Sequence, residues 1–216
     1  KTLERLAHIY DLKTGEHLFD ARRIRVYEDD RLSQLEVHYM HTDGRIFATK
    51  QLDYRKHPSM PDMRLVDVRT GHTERVELIG DRCRILFQRN AESRPKIAEI
   101  ALPEPGGVDG GFEHFIRRHW SRLLAGETLR TDFLVPVRQS FIEFRVRLRE
   151  IRVEDGRKLY DFRLDAGNPL LRLMAPAIHL TIDAAKQHLT SYEGVVNLRD
   201  ASGANYQVRQ TFEVQH

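Results

Sequence analysis

Apolar and polar residues alternate along most of this chain, in the pattern that predicts β-strands. From residue 142 to 148, apolar side chains at every second position are separated by charged ones. Successive side chains of a strand point to opposite faces, so this segment is predicted to have one buried and one solvated face. Turn sequences follow about every ten residues, as at Asp43-Gly44 and Asp155-Gly156. The pattern predicts an antiparallel meander of roughly ten to twelve strands.

One stretch, from Asp109 to Gly126, has the spacing of a helix instead. Its apolar residues recur every three or four positions and therefore share one helical face: Phe112, Phe115, Ile116, Trp120, Leu123 and Leu124. Asp109 suits an N-cap, and Gly126 stands where a helix usually stops. We predict one main α-helix over residues 110–126.

These elements predict a mainly β fold based on one large curled antiparallel sheet, a half-barrel or unclosed barrel. A sheet of this size must curl, close or split, and the single helix is expected against its concave side. We expect a single domain over 1–216. It comprises an N-terminal meander (4–102), the helix (110–126) and a C-terminal meander (128–215).

The composition supports a globular protein with a hydrophobic core. The 216 residues are 40% hydrophobic and 31% charged, and the formal net charge is only +3. This balance gives no case for a nucleic-acid partner. No apolar run approaches the ~20 residues of a transmembrane helix, so no transmembrane segment is expected. The chain starts at Lys1 without an initiator Met, as a mature or trimmed chain does, and an export signal before it stays open.

Candidate chemical groups are few. The single cysteine, Cys83, alternates with arginines and is expected to face the core, so no intramolecular disulfide forms. The eleven histidines show no metal-ligand spacing, and we expect neither a metal nor a cofactor. His119 falls near the middle of the apolar helical stripe. It is either a hydrogen-bonded core histidine or a general base in a pocket. No nucleophile motif accompanies it, which favours a noncatalytic protein.

Two further segments suggest binding. The segment from Asn168 to Ile178 is the most apolar in the chain, and we interpret it as an apolar lid or partner surface, or as a strand or turn buried under the helix. Trp120 flanks the helical stripe and faces any ligand there. The candidate ligand-binding residues are Phe115, His119, Trp120, Leu123, Leu170, Leu171, Leu173 and Met174.

A basic stripe on one strand face gives a second candidate surface. Arg145, Arg147 and Arg149 recur at every second position. They suit phosphate groups, but no aromatic residues interleave with them, as single-stranded nucleic acid would require. A solvated outer sheet face is the favoured interpretation.

Two segments resemble a known family. Residues 35–54, which contain VHYMHTDGRIFATKQLDY, look like the strand, Asp-Gly turn and strand unit of bacterial envelope proteins of the lipoprotein-localisation (Lol) type. The tail YEGVVNLRDASGANYQVRQTFEV is similar to the closing hairpin of exported bacterial families. In the Lol family an unclosed, curved sheet holds acyl chains under a lid of several helices. The resemblance is architectural and transfers no functional residue.

The sequence therefore favours a noncatalytic protein of the periplasm or cell envelope that binds a lipid, another apolar ligand or a lipidated partner, and it leaves a cytoplasmic location open. Apolar side chains on a curved inner face solvate acyl chains at ~0.8 kcal/mol per buried methylene. One alternative is a protein–protein interaction or envelope-assembly module without a small ligand. A second alternative is a hydrolase-type enzyme with a pocket near His119.

Overall fold

The computed structural model describes residues 1–174, 176–185 and 188–213. These residues form fifteen strands, three α-helices and a 3-10 turn at Pro136–Arg138. The strands are β1 (Thr2–Asp11), β2 (His17–Glu28), β3 (Arg31–Met40), β4 (Ile46–Asp53), β5 (Asp62–Asp67), β6 (His72–Ile79), β7 (Arg82–Gln88), β8 (Lys96–Ala101), β9 (Gly106–Gly107), β10 (Leu129–Val135), β11 (Ser140–Glu154), β12 (Arg157–Ala166), β13 (Ile178–Asp183), β14 (His188–Arg199) and β15 (Asn205–Phe212). The helices are α1 (Gly111–Arg118), α2 (Trp120–Leu124) and α3 (Pro169–Met174).

The strands belong to one sheet in the order β8-β7-β6-β5-β4-β3-β2-β1-β15-β14-β13-β12-β11-β10-β9. Its end strands, β8 and β9, are different strands, so the sheet is not closed into a barrel. The prediction of a mainly β fold with a large, unclosed antiparallel sheet is confirmed. The fifteen strands exceed the predicted ten to twelve. One of them, β9, consists of two glycines without alternating side chains and pairs with β10 in parallel.

Local sequence explains why neighbouring strands form hairpins. The β3–β4 turn places Gly44 at φ 84°, where a side chain would be strained, and Gly44 donates its N–H to the carbonyl of His41 at 2.9 Å. In the hairpin of β11 and β12, the buried residues Val146 and Leu164 are directly opposite each other. The strand predicted over 142–148 is therefore present, with Val146 buried and its other apolar positions half-buried.

The predicted helix over 110–126 is present but divided in two at His119. This residue adopts the non-helical angles φ −107° and ψ 19° and forms the N-cap of α2. Neither Gly nor Pro marks the break in the sequence. Asp109, predicted as the N-cap, is two residues before α1 at φ 43°, and its carboxylate bonds Lys50 instead. Gly126 ends the segment as predicted, at φ 86° with its N–H donated to the carbonyl of Leu123.

The chain forms two compact units, and the expectation of a single domain stays a prediction. The first unit comprises Lys1–Leu6, Phe19–Phe115 and Asp132–Ile142. Its core includes one buried apolar residue from each of five successive strands: Leu35, Leu52, Met63, Val76 and Ile85.

The second unit comprises Ala7–Leu18, Ile116–Thr131 and Glu143–His216. Its core is centred on β12 and β13, whose fully buried side chains include Phe162, Leu164, Leu180 and Ile182. Across the described part of the chain, none of the helices has the length and hydropathy of a membrane span.

Candidate functional site

The apolar helical residues named as ligand contacts are already used in packing. Phe115, in the first unit, is buried, and so is Leu123 in the second. Trp120, on the flank of the stripe, packs its ring against two aromatic side chains of β12. The ring centroids are 5.0 Å from Tyr160 and 5.4 Å from Phe162. The proposed role of these residues in ligand binding stays a prediction.

His119 is only partly buried, between α1 and α2. Burial, together with the positive charges of Arg118 and Arg122, lowers the pKa of His119 below its ordinary value. The ring is therefore neutral at pH 7. In a catalytic triad, a carboxylate orients the base and stabilises its protonated form. The charged residues that shift the pKa of His119 are arginines, which do the opposite.

Within the apolar segment from Asn168 to Ile178, residues 169–174 fold as helix α3 and not as the alternative strand or turn, whereas Ile178 begins β13. Asn168 accepts the N–H of Leu170 at 2.8 Å and Pro169 occupies the first turn, a combination typical of a helix start. Leu170 is 71% exposed, whereas Leu171 is half-buried. The side chains of Leu173 and Met174, also named as ligand contacts, lie outside the described residues.

The first unit contains an open cavity of about 460 Å³ lined by residues of β2–β6. Its lining includes the buried apolar residues Leu35, Leu52, Met63 and Val76, together with the polar residues that alternate with them along the strands. The polar residues of the lining are ones that strand alternation in the sequence assigns to the solvated face. A row of side chains crosses it, one from each strand and each opposite the next in the register: Ile24, Glu36, Gln51, Arg64 and Arg75.

Two neighbouring residues of this row, Arg64 and Arg75, are positively charged. Arg64 and Arg75 are directly opposite each other on β5 and β6, an arrangement that destabilises a sheet unless an anion compensates it. Arg75 Nη2 forms an ion pair with Glu77 Oε2 at 3.4 Å. With the described residues, the guanidinium of Arg64 and the side-chain amide of Gln51 form no hydrogen bond or ion pair. Their donors are therefore available to a molecule in the cavity.

The opposite end of the row is acidic. Glu36 Oε1 accepts a hydrogen bond from His38 Nε2 at 2.9 Å. The Glu36 side chain remains 41% exposed, so its carboxylate is also accessible from the cavity. Glu36 and Arg64 are separated by two strand spacings, about 10 Å. The cavity thus presents a negatively charged and a positively charged residue two strands apart.

A second polar cluster of the first unit is buried under α1. Arg25 donates to both carboxylate oxygens of Glu113, at 3.1 and 2.9 Å, and Arg23 lies 3.4 Å from the same carboxylate. The charge of Glu113, the largest influence, raises the pKa of Arg25 despite burial. Burial and then the charge of Arg25 lower the pKa of Arg23. A buried charge that loses its partner is strongly destabilising, so this cluster fixes α1 on the sheet.

A neighbouring buried pair joins Lys50 to Asp109. Lys50 Nζ donates to Asp109 Oδ2 at 2.7 Å. Burial opposes the charge of Lys50, but Asp109 holds the pKa of Lys50 above its ordinary value. Burial, followed by the negative charges of Glu113 and Asp109, raises the pKa of Tyr54. The pair anchors the segment before α1, which explains why Asp109 is not available as a helix cap.

Comparisons with known proteins give one structural similarity. The chain is similar to the crystal structure of a β-barrel-like protein of the domain of unknown function DUF1849 from Brucella abortus. The identity is 7%, the TM-score is 0.48, and the match covers 98% of this chain and 94% of that chain. No protein-family model and no curated protein matches the chain. At this level of similarity, the match supports no inference about function.

Sequence reasoning missed the cavity for a physical reason. The polar residues of its lining have the alternating pattern of an ordinary solvated strand face. In addition, Arg64 and Arg75 are eleven positions apart in the chain. Only the pairing of β5 with β6 makes them neighbours. The turn at Thr70-Gly71 indicates the hairpin, and counting outward from it would have suggested their juxtaposition.

Proposed function

We propose that this protein is a noncatalytic binding protein that holds a small zwitterionic ligand, of the kind represented by a short peptide, in the cavity of β2–β6. The observation that carries this proposal is the pair Arg64 and Arg75, directly opposite each other and facing the cavity. A ligand carboxylate between two guanidinium groups relieves their repulsion and accepts charge-assisted hydrogen bonds. The cavity volume is in the range of small-molecule sites.

The opposite charge at Glu36 sets the ligand class. The backbones of Glu36 and Arg64 are about 10 Å apart, which is the length of about three extended residues, so we expect the ligand ammonium group at Glu36 and its carboxylate at Arg64. Between them, the amide of Gln51 matches the hydrogen-bonding groups of a peptide backbone. Ile24, at the end beyond Glu36, offers an apolar contact.

The test is an NMR titration with trialanine and with its acetylated, amidated form, which has the same backbone but no charges. Trialanine should shift the backbone signals of Gln51, Arg64 and Arg75, and the capped form should bind about tenfold more weakly or less. Arg64→Gln should weaken trialanine binding about tenfold. Arg45→Gln, which removes an exposed arginine outside the cavity, is the control. Equal affinity for the two peptides, or no shift in the cavity, contradicts the proposal.

A second candidate, the binding of an apolar or lipid ligand, is favoured by one observation in the second unit. Leu170 exposes 71% of its surface on α3, within the segment that the sequence suggests as an apolar lid. Trp120 is the only Trp of the chain, so its emission reports on α2 alone. Titration with a fatty acid should shift this emission to the blue, and Leu170→Glu should reduce the effect. A flat emission together with trialanine binding leaves the peptide-type ligand.

A cell-envelope location belongs to the same proposal and rests on the Lol-type resemblance of residues 35–54. A protein–protein interaction module is the remaining alternative. Native mass spectrometry of the purified protein separates these cases. A mass increment of a small ligand supports the cavity proposal, whereas an increment of a phospholipid or fatty acid supports the second candidate.

A further inference from the structure

Three arginines surround one aspartate on the polar face of β11 and β12, in the second unit. Arg145 donates to Asp165 Oδ1 from Nε at 2.9 Å and from Nη2 at 2.5 Å. Arg163 Nε donates to Oδ2 at 3.0 Å, and Arg147 Nη2 is 3.4 Å from the same oxygen. These four residues form what we call the Asp165 cluster.

The strand register builds this cluster. Arg145 is directly opposite Asp165, and Arg147 is directly opposite Arg163 in the next pair on the same face. The apolar pair between them, Val146 and Leu164, is buried on the other face. The guanidinium groups are therefore fixed by a rigid, paired part of the sheet rather than by a loop.

The cluster carries more positive charge than its acid neutralises. Three guanidinium groups share one carboxylate, so the cluster has a net charge of +2. The Asp165 side chain is only 4% exposed, whereas the arginine side chains are 20 to 40% exposed. Burial opposes its ionisation, but the bonds and charges of the arginines hold the pKa of Asp165 below its ordinary value. A buried, ionised carboxylate thus holds the arginines in place while part of each remains accessible.

The surroundings of the cluster extend its positive potential. His179 is opposite Arg163 on β13. Burial and then the charges of Arg163 and Arg149 lower the pKa of His179, so Arg149 also acts at this face. The adjacent acid Asp161 is occupied, because it accepts bonds from Arg152 and Thr181. Glu193, opposite His179, is the remaining negative charge on this row.

We propose that the Asp165 cluster binds a phosphate group. Each guanidinium has five N–H donors. The contacts with Asp165 engage two nitrogens of Arg145 and one nitrogen each of Arg147 and Arg163. The remaining donors of three pre-oriented forks match the oxygens of a phosphomonoester, for which arginine forks are especially suited. The phosphate belongs either to a soluble anion or to a phospholipid headgroup. This site is in the second unit and is independent of the cavity in the first.

The experiment uses inorganic phosphate and vesicles as separate probes. Titration with inorganic phosphate, followed by the Nε–H signals of the arginines, should shift those of Arg145, Arg147 and Arg163. Vesicles of phosphatidylcholine with phosphatidic acid, compared with phosphatidylcholine alone, test the headgroup. Binding to inorganic phosphate indicates a soluble anion, and binding only to phosphatidic acid vesicles indicates a lipid. Binding to neither overturns the proposal.

Variants distinguish the site from general charge attraction. Arg147→Gln removes the longest contact to Asp165 and should weaken binding about tenfold. Arg122→Gln also removes one positive charge from the second unit, but Arg122 is paired with Glu127 outside the cluster. This variant should leave binding unchanged. If Arg147→Gln unfolds, Arg147→Lys replaces it, because it keeps the positive charge but removes the guanidinium donors, and it should also weaken binding. Equal weakening by Arg122→Gln and the cluster variant overturns the proposal.

Discussion

Arg25 of β2 and Glu113 of α1 form a buried ion pair in which one guanidinium nitrogen contacts both carboxylate oxygens, at 3.1 and 2.9 Å. The two residues are 88 positions apart in the chain, and their side chains are 5% and 11% exposed. Arg23 approaches the same carboxylate, so Glu113 contacts two buried cations. The position of α1 on the sheet therefore depends on this carboxylate as well as on apolar packing.

Removing the charge of Glu113 should destabilise the fold strongly. Glu113→Gln leaves Arg25 and Arg23 buried without their anion, and breaking a buried pair in this way costs about 3–5 kcal/mol. Denaturant unfolding measures the loss. Glu127→Gln breaks an exposed pair with Arg122 and serves as the control, with a far smaller effect expected. Similar losses in the two variants would mean that the Glu113 cluster has no special structural role.

Two adjacent leucines of α2 test which helical face is packed. Leu123 is fully buried and Leu124 is 36% exposed. Leu123→Ala should lower the free energy of unfolding by about 2–5 kcal/mol, because it leaves a cavity in the core. Leu124→Ala should change it by about 0.5 kcal/mol or less. The comparison needs only thermal or chemical unfolding of both variants, and a larger loss at Leu124 would refute the assigned face.

Asp165 should make stability depend on pH in the acid range. Its pKa is lower in the folded chain than in the unfolded chain, where it is about 3.9. The stability that ionised Asp165 contributes is therefore present above about pH 4 and is lost as the pH falls through the lower, folded pKa. Unfolding curves between about pH 2 and pH 6 should show a shallower pH dependence in Asp165→Asn. An unchanged slope would show that Asp165 does not act in this way.

Cys83 should be chemically inert in the folded protein. The thiol is fully buried in β7, and burial raises its pKa to about 11, with only partial compensation by Arg82. Since the thiolate is the reactive form, labelling by a thiol reagent near pH 8 should be slow until denaturant is added. Ser202→Cys, at an exposed turn, provides an accessible thiol for comparison. Equally fast labelling of Cys83 in the folded wild type would contradict its burial.

The sequence alone determined the local elements, because strand and helix periods are short-range signals. The alternation over 142–148 predicted a two-faced strand, and Asp43-Gly44 predicted a hairpin turn. Both are present, since a residue's face in a strand follows from its parity and Gly44 tolerates the positive φ of the turn. Arginines on both sides of Cys83 likewise predicted its burial in the core.

The tertiary structure decided which polar groups meet. Arg64 faces Arg75, Arg145 faces Asp165, and Glu113 reaches Arg25 only because particular strands pair in a particular register. Alternation fixes the face of each side chain but not its neighbour on the next strand, and charged residues carry no local signal of their partners. Pairing and register depend on the packing of the whole sheet. The sequence prediction therefore named the basic stripe of Arg145 and Arg147 but not its partners Asp165 and Arg163, and it did not predict the cavity of β2–β6.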